Sequence, residues 1–241
     1  MSAAYPKYRK SLDFSYTFGV APTIELMTCR PGRARRIFVR RPDRGRNGIG
    51  RLLELADKAG VPVDQAERAI ERISSKPFPA VGVFEKFPSA LKAWTSHVVL
   101  VSPRYAGNVG TIIRTMVGFG LADLAVCSTC PELLGPQVVR ASMGAIFRVR
   151  WGVFETLDTY CRQYPGQRLY CLAPDGEKQI ASLHPNGPFA LVFGSEGSGL
   201  DARARQDRTT VRIDQSGLVD SLNLSVAAGI ALYAVTQAGT K

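Results

Sequence analysis

The chain has 241 residues, 45% of them hydrophobic, which is enough to bury one large or two small cores and argues against a disordered protein. Its formal net charge is +11, and the excess is uneven: residues 1–94 carry 18 Lys and Arg against nine Asp and Glu, whereas the rest carries 13 against 11. Because Lys and Arg release counterions from phosphate backbones, this excess indicates a polyanionic partner without identifying it.

Apolar patterning and cysteine content predict a cytoplasmic protein without a membrane segment or a metal. No apolar run approaches the roughly 18 residues that span a bilayer, and the first residues lack the apolar core of a signal peptide. Five cysteines are an odd number without the density of a secreted disulfide framework. Cys127 and Cys130 have metal-like spacing, but no second such pair exists, so we expect buried thiols rather than a four-ligand zinc site.

Two stretches precede residue 89. Residues 1–12 are polar and basic and predict a mobile arm. Residues 13–88 predict a small α/β domain. Its recognisable elements are a strand at 36–39, a helix at 51–58 that ends at Gly60, a strand or turn from Val61, and a helix capped by Asp64 that runs to Ile73.

The segment between Arg30 and Arg51 contains nine arginines and a single acid, Asp43, among several prolines and glycines. This composition predicts a basic loop. A solvated surface run is the alternative, but nine like charges repel one another, which favours phosphate contact. Arginine also suits bidentate phosphate recognition. The predicted contact residues are Arg33, Arg35, Arg36, Arg40, Arg41, Arg44 and Arg46.

After a proline-rich junction at residues 77–88, strands and helices alternate. Strands are predicted at 97–101, 124–127, 169–172, 189–193 and 210–213, and helices at 108–119, 155–164 and 221–237. Such alternation is typical of a mostly parallel sheet covered on both faces, with ligands beyond the carboxyl ends of its strands.

The helix at 108–119 is the first of three segments that can carry chemistry. Asn108 suits its N-cap and Gly120 its end. Its apolar face would enter the core, and Arg114 is the only charge on the opposite face; a plain surface arginine is the alternative reading. Gly118 inside the helix suggests that another backbone approaches closely there.

The second segment, residues 191–200, is a strand that runs into a glycine-rich turn. Its spacing differs from the dinucleotide fingerprint, and Glu196 places negative charge where a pyrophosphate would lie, so a cationic or neutral ligand fits better. The third segment, residues 221–233, begins the last helix with hydrogen-bonding side chains and continues with small residues. Those small residues suit a dimer contact or internal packing equally well.

In this order and spacing, the three segments resemble the motifs of the SpoU/TrmH family of RNA ribose 2′-O-methyltransferases, within the SPOUT superfamily. The resemblance covers roughly residues 96–238, and residues 140–145 resemble a further family segment. Residues 13–88 resemble, more weakly, a small ribosomal-protein-like RNA-binding domain. The resemblance therefore implies an α/β fold with a deep C-terminal trefoil knot in a catalytic domain at 95–241, and a homodimer.

The resemblance further implies transfer of a methyl group from S-adenosylmethionine to a ribose 2′-hydroxyl of structured rRNA or tRNA. The catalytic residues that it implies are Arg114, Asn108, Glu196, Ser221 and Asn223. The cofactor-binding residues that it implies are Phe193, Gly194, Ser195, Gly199, Ile213, Gln215, Leu222 and Asn223. One departure is visible, because Asp214 and Gln215 stand where the family usually has proline and a bulky apolar residue.

Three questions stay open at this stage. Arg114 is a poor proton acceptor, because a guanidinium offers five N–H donors and no acceptor, so we expect it to hold phosphate and stabilise the developing alkoxide. Glu196 could either buttress its loop or contact a ligand. A non-catalytic RNA-binding or ribosome-assembly protein is the alternative function, whereas a nicotinamide-linked dehydrogenase lacks its glycine fingerprint.

Overall fold

The computed structural model describes residues 5–40 and 48–237. The chain divides into two compact units, which we call unit 1 (Met1–Pro88 and Glu132–Arg148) and unit 2 (Ser89–Pro131 and Val149–Lys241). The sequence pattern assigned Glu132–Arg148 to the second domain, but this segment packs within unit 1. Within the described ranges, no helix combines the length and apolarity needed to cross a membrane.

Unit 1 is built on a four-stranded sheet in the order β1-β4-β2-β3. Its strands are β1 (Phe14–Phe18), β2 (Ala34–Val39), β3 (Val63–Gln65) and β4 (Ala80–Glu85), and only the β2–β3 pair is parallel. Its helices are α1 (Val20–Cys29), α2 (Ile49–Lys58), α3 (Glu67–Ile73) and, from the later segment, α5 (Pro136–Ala141). Alternate side chains of β2 enter two apolar clusters: Ile37 packs with Leu52 of α2, and Phe38 with Ile70 of α3.

The prediction of a mobile N-terminal arm is wrong for residues 5–12. The Tyr5 ring packs edge-on against Phe14 and Phe38, and the Tyr16 hydroxyl donates a hydrogen bond to the Pro6 carbonyl. Aromatic contacts therefore fix a segment whose composition is polar and basic.

The arginine-rich segment is not a loop where it is described. A 3₁₀ turn (Pro31–Arg33) leads directly into β2. The four described arginines of the predicted contact set all pair with carboxylates of unit 1: Arg33 with Glu85, Arg35 with Asp13 and Glu85, Arg36 with Asp64, and Arg40 with Glu67 and Glu71. Arg41, Arg44 and Arg46 lie outside the described residues.

The pair between Arg36 and Asp64 also corrects the predicted helix cap. Asp64 lies in β3, beside Phe38 of β2, and α3 begins three residues later without a side-chain cap. A carboxylate that pairs with a guanidinium across neighbouring strands is unavailable as an N-cap.

Unit 2 contains a seven-stranded sheet in the order β7-β6-β5-β10-β8-β11-β9, and every adjacent pair is parallel. The predicted mostly parallel sheet is thus confirmed. Its strands are β5 (His97–Val101), β6 (Asp123–Cys127), β7 (Arg150–Phe154), β8 (Arg168–Leu172), β9 (Lys178–Gln179), β10 (Phe189–Phe193) and β11 (Thr209–Arg212). Its helices are α4 (Ala106–Gly118), α6 (Leu157–Gln163), α7 (Ala202–Arg205) and α8 (Leu224–Gln237).

Asp123, at the start of β6, is a fully buried carboxylate that fastens three parts of unit 2. It accepts hydrogen bonds from the Arg150 guanidinium on β7 and, on the segment that leads into β5, from the Thr95 hydroxyl and the Lys92 backbone N–H. Burial opposes ionisation of Asp123, but the hydrogen bonds from Arg150 and Thr95 outweigh it and lower the pKa of the carboxyl.

We expect Asp123→Asn to lower the free energy of unfolding by about 2–4 kcal/mol at neutral pH, because it leaves a partly exposed Arg150 without its buried partner. Since the pKa of Asp123 is lower in the folded protein, its contribution is present above the unfolded-state value of about 4 and is lost as the pH falls below it. Urea unfolding at pH 7.5 and at about pH 3, below the unfolded-state pKa of about 4, should therefore show the variant's deficit shrinking in acid. Asp175→Asn, which breaks an exposed pair with Arg205, is the matched control and should change little; an equal deficit in both variants would contradict this assignment.

Candidate functional site

A cavity of about 280 Å³ lies in unit 2 beyond the carboxyl ends of three parallel strands, β8, β10 and β11. This is the position that the predicted sheet implied. Residues from three stretches of chain form its wall: 172–174 at the end of β8, 193–199 at the end of β10, and 211–227 from β11 into α8.

The turn after β10 is closed by its own backbone. Ser195 and Gly199 exchange N–H···O bonds of 3.3 and 3.0 Å, and the hydroxyls of Ser195 and Ser198 lie 2.6 Å apart. A Cβ on Gly194 would lie 2.1 Å from the carbonyl carbon of Gly199, so only glycine fits there. Gly197 and Gly199 have φ angles of 112° and 64°, and no atom of the described residues lies within 4 Å of a Cβ placed on either. At its glycines the turn therefore offers backbone, not side chains, to whatever occupies the cavity.

Glu196, at the tip of this turn, is held by α4. Its carboxylate accepts the backbone N–H groups of Arg104 and Tyr105 at 2.8 and 3.3 Å and the Asn108 Nδ2–H at 2.8 Å. Partial burial opposes ionisation of Glu196, but these hydrogen bonds outweigh it and lower the pKa of the carboxyl. An ionised carboxylate at the entrance of a helix is also favoured by the helix dipole. Its oxygens are occupied, so the structure supports the buttressing role.

Asn108 continues this chain of hydrogen bonds to the third segment. Its Oδ1 accepts a bond of 3.3 Å from Asn223 Nδ2, and Asn223 Oδ1 in turn accepts the backbone N–H and the hydroxyl of Ser225 at 2.9 and 2.7 Å. The predicted N-cap role of Asn108 is wrong, because α4 begins at Ala106 and the Asn108 side chain points to Glu196 instead. Asn223 is what caps the start of α8, which begins at Leu224 rather than at Ser221.

Arg114 and Ser221 are the two predicted catalytic residues with uncommitted polar groups. Arg114 is exposed on α4 and does not line the cavity, whereas Ser221 does. Neither side chain makes a hydrogen bond or ion pair with any part of the chain that the structure describes. Both groups are thus available to a ligand.

The predicted cofactor-binding residues converge on the cavity with one exception. Phe193, Gly194, Ser195, Gly199, Ile213, Gln215 and Leu222 all line it, as does Glu196, whereas Asn223, Asn108 and Arg114 do not. Nine further lining residues were not predicted from the sequence: Leu172, Ala173, Pro174, Gly197, Ser198, Val211, Asp220, Leu224 and Ala227. The first three lie at the carboxyl end of a parallel strand, which is the signal that could have revealed them.

The expected close approach at Gly118 is not found within the described chain, since no atom there lies within 4 Å of a Cβ placed on this residue. The close contact between α4 and α8 lies at Gly229 instead, whose Cβ would be 3.8 Å from the Thr115 methyl group. The small residues of α8 therefore serve internal packing at that point.

No side chain that the structure describes at the cavity is cationic, and the ionisable ones that line it are Glu196 and Asp220. His97 is buried and bonded to the Tyr160 hydroxyl and the Lys92 carbonyl, and His184 bonds to the Ser182 carbonyl, so neither histidine faces this site. Among the residues that the structure describes, no group of three or more His, Cys, Asp or Glu could hold a metal ion. The charge of the wall suits a cationic or neutral ligand better than an anion.

Comparison with known proteins gives consistent findings. Residues 95–233 match the SpoU rRNA Methylase family. An uncharacterized tRNA/rRNA methyltransferase of Synechocystis sp. is 31% identical over 130 residues, which are 53% of this chain and 47% of that protein, so the match spans about half of this relative's length. The 23S rRNA (guanosine-2′-O-)-methyltransferase RlmB of Acinetobacter baylyi is 27% identical over 236 residues, covering 90% of this chain and 95% of the relative.

Among solved structures, an AdoMet-bound rRNA methyltransferase from Sinorhizobium meliloti superposes with a TM-score of 0.79. The superposition covers 95% of this chain and 89% of that one at 22% sequence identity. At this identity the likeness establishes a common fold.

We expect Gly194→Ala to lower Tm by about 3–10 °C, because the added methyl group overlaps the Gly199 backbone and forces the turn open. Gly166→Ala is the matched control, since no atom lies within 4 Å of its Cβ and its φ is ordinary. Thermal unfolding measured by circular dichroism compares the two. An unchanged Tm in Gly194→Ala would show that the turn is not closed as described.

Proposed function

The chain belongs to the SpoU rRNA Methylase family, and from that premise we propose that it transfers a methyl group from S-adenosylmethionine to a ribose 2′-hydroxyl of RNA. The observation that carries this proposal is the chain of hydrogen bonds Glu196–Asn108–Asn223, which joins the three motif segments beside one cavity. The non-catalytic alternative is not favoured, because no polar motif residue is missing and the cavity is formed.

The cavity fits the cofactor in its donor set and in its charge. The glycine turn, Ile213, Gln215 and residues 220–222 line it, with apolar walls from Leu172, Phe193 and Leu224. The space beside Gly199, which a Cβ would fill, is free of atoms of the described residues. S-adenosylmethionine supplies an electrophilic methyl group on a positively charged sulfur, and the described residues of the cavity wall include carboxylates and no cation.

The chain's own residues then have distinct tasks. Ser221 has a free hydroxyl at the cavity and orients the ribose. Arg114 holds an RNA phosphate and stabilises the alkoxide that develops as the 2′-hydroxyl loses its proton. Its guanidinium is not the proton acceptor, and the neighbouring phosphate or a water takes the proton. Glu196 and Asn108 act as positioning residues, because their polar atoms are engaged with each other and with the α4 backbone.

A second copy of the chain and a knotted backbone belong to the same proposal. Val226, Ile230 and Tyr233 form one apolar stripe on α8 that is 39–58% exposed, which supports an α8 contact in a homodimer. The trefoil knot is proposed from the family resemblance and would involve the turn after β10 and the segment after β11, which line one cavity.

Unit 1 is proposed to bind RNA as a separate domain, and its arginines fall into two groups. Arg36 and Arg40 are neutralised by carboxylates, so phosphate contact by them would compete with an existing ion pair. Arg68 and Arg72 lie one turn apart on α3, are exposed, and have no acidic partner among the described residues. Free guanidinium groups release counterions at the least cost, which favours the α3 pair.

Incubation with methyl-labelled S-adenosylmethionine and total RNA tests the activity directly. A 2′-O-methyl group blocks alkaline cleavage of the adjacent phosphodiester, so label is expected in alkali-resistant dinucleotides and not in mononucleotides. We expect Arg114→Lys to lower the transfer rate about 100-fold at every pH while leaving cofactor affinity unchanged, because lysine cannot reproduce bidentate phosphate positioning. Arg162→Lys, on the exposed face of α6, is the matched control.

Two results would contradict this mechanism. Substantial activity in Arg114→Lys with a shifted pH profile would show that residue 114 titrates as the base. RNA binding by the intact protein without any label transfer would favour the non-catalytic alternative.

For unit 1, we expect the double variant Arg68→Ala/Arg72→Ala to reduce the slope of log K against log salt by about 1.5, since each lost phosphate contact removes about 0.7–0.9. Filter binding to RNA between 50 and 300 mM salt measures this slope. Arg36→Ala/Arg40→Ala removes the same charge and should change the slope less. A larger change of the slope in Arg36→Ala/Arg40→Ala than in Arg68→Ala/Arg72→Ala would assign phosphate contact to the arginines of β2 and its end.

A further inference from the structure

The cavity wall contains a carboxylate, that of Asp220, which has no bonding partner in the described part of the chain. Of its two ionisable residues, Glu196 has both oxygens bonded to N–H groups of α4 and its entrance. Asp220 is exposed at the cavity, one residue before Ser221, and makes no hydrogen bond or ion pair with the described residues. Its negative charge is therefore free to act on a ligand.

The substrate and product forms of the proposed cofactor differ mainly in charge at one atom. S-adenosylmethionine carries a sulfonium, whereas S-adenosylhomocysteine has a neutral thioether with the same adenosine and amino-acid groups. Contacts to those shared groups stabilise both forms alike. A negative charge near the sulfur stabilises the first form alone, so it changes the ratio of the two affinities.

We propose that the Asp220 carboxylate makes the cavity discriminate in favour of the positively charged cofactor over its neutral product. This inference rests on the proposed function. Its consequence is weaker product inhibition, because the loss of charge on methyl transfer removes an attraction that held the cofactor.

Nearby charges make the assignment to Asp220 specific. No Lys or Arg of residues 5–40 or 48–237 lines the cavity to neutralise it. Asp214, on the same loop, accepts a hydrogen bond of 3.0 Å from Arg212 Nε and does not line the cavity. Asp220 thus places an unpaired charge at the cavity and Asp214 does not, so Asp214→Asn is the matched control for Asp220→Asn.

Calorimetric titration of the two variants and the unchanged protein with three ligands tests the proposal. The ligands are S-adenosylmethionine, S-adenosylhomocysteine and sinefungin, whose protonated amine replaces the sulfonium. We expect Asp220→Asn to lower the affinity for S-adenosylmethionine and for sinefungin about three- to tenfold, a modest effect because the carboxylate is exposed. The affinity for S-adenosylhomocysteine should change less than about twofold. The effect should shrink between 25 and 300 mM salt, and Asp214→Asn should leave the ratio of affinities unchanged.

An equal loss for all three ligands in Asp220→Asn, or no loss at all, would overturn the proposal. An equal shift of the ratio in Asp214→Asn would also overturn it, since the loop's overall charge would then be responsible. Failure of the unchanged protein to bind any of the ligands would instead count against the proposed function.

Discussion

The site in unit 2 depends on a single ionised carboxylate, that of Glu196. It accepts hydrogen bonds from two backbone N–H groups that precede α4 and from the Asn108 amide. Asn108 in turn accepts a hydrogen bond from Asn223 at the start of α8. Three segments that are far apart in sequence meet at this point. A buried or half-buried carboxylate remains charged only where donors surround it, so the same contacts that lower its pKa also fix the turn that borders the cavity.

Backbone conformation determines much of the remaining shape of the cavity. Gly194 lets the turn after β10 close upon Gly199, and the positive φ angles of Gly197 and Gly199 leave space rather than side chains on the open side. Backbone contacts tolerate side-chain changes, which explains how Gln215 can line the cavity where the family usually has a bulky apolar residue. What the side chains add is charge: the described residues of the wall, which is proposed to face a sulfonium, carry two carboxylates and no cation.

The sequence predicted unit 2 well because its signals are local. The strands 97–101 and 189–193 have the observed bounds, since continuous apolar runs between turns mark buried parallel strands. The strands of unit 1 were harder to predict from the sequence. In β1, Ser15 and Thr17 are buried beside aromatic residues, so the alternation of apolar and polar residues expected of a half-buried strand does not mark it. Long-range pairs were invisible too. The sequence predicted that Asp64 caps α3, but Asp64 forms an ion pair with Arg36 of the neighbouring strand. The basic segment contains the strand β2, whose arginines are paired with carboxylates. In the site, residue identities were predictable, but the division between cavity wall and supporting hydrogen bonds was not.

Three loops of unit 2, held by Glu196, are proposed to form the binding site for S-adenosylmethionine. Amide hydrogen exchange with and without the cofactor tests this site, because protection reports the bound segments without requiring catalysis. We expect added protection in residues 172–173, 193–199 and 211–222 and little change in unit 1. Saturating cofactor that left these amides unprotected, or that protected a different surface, would contradict it.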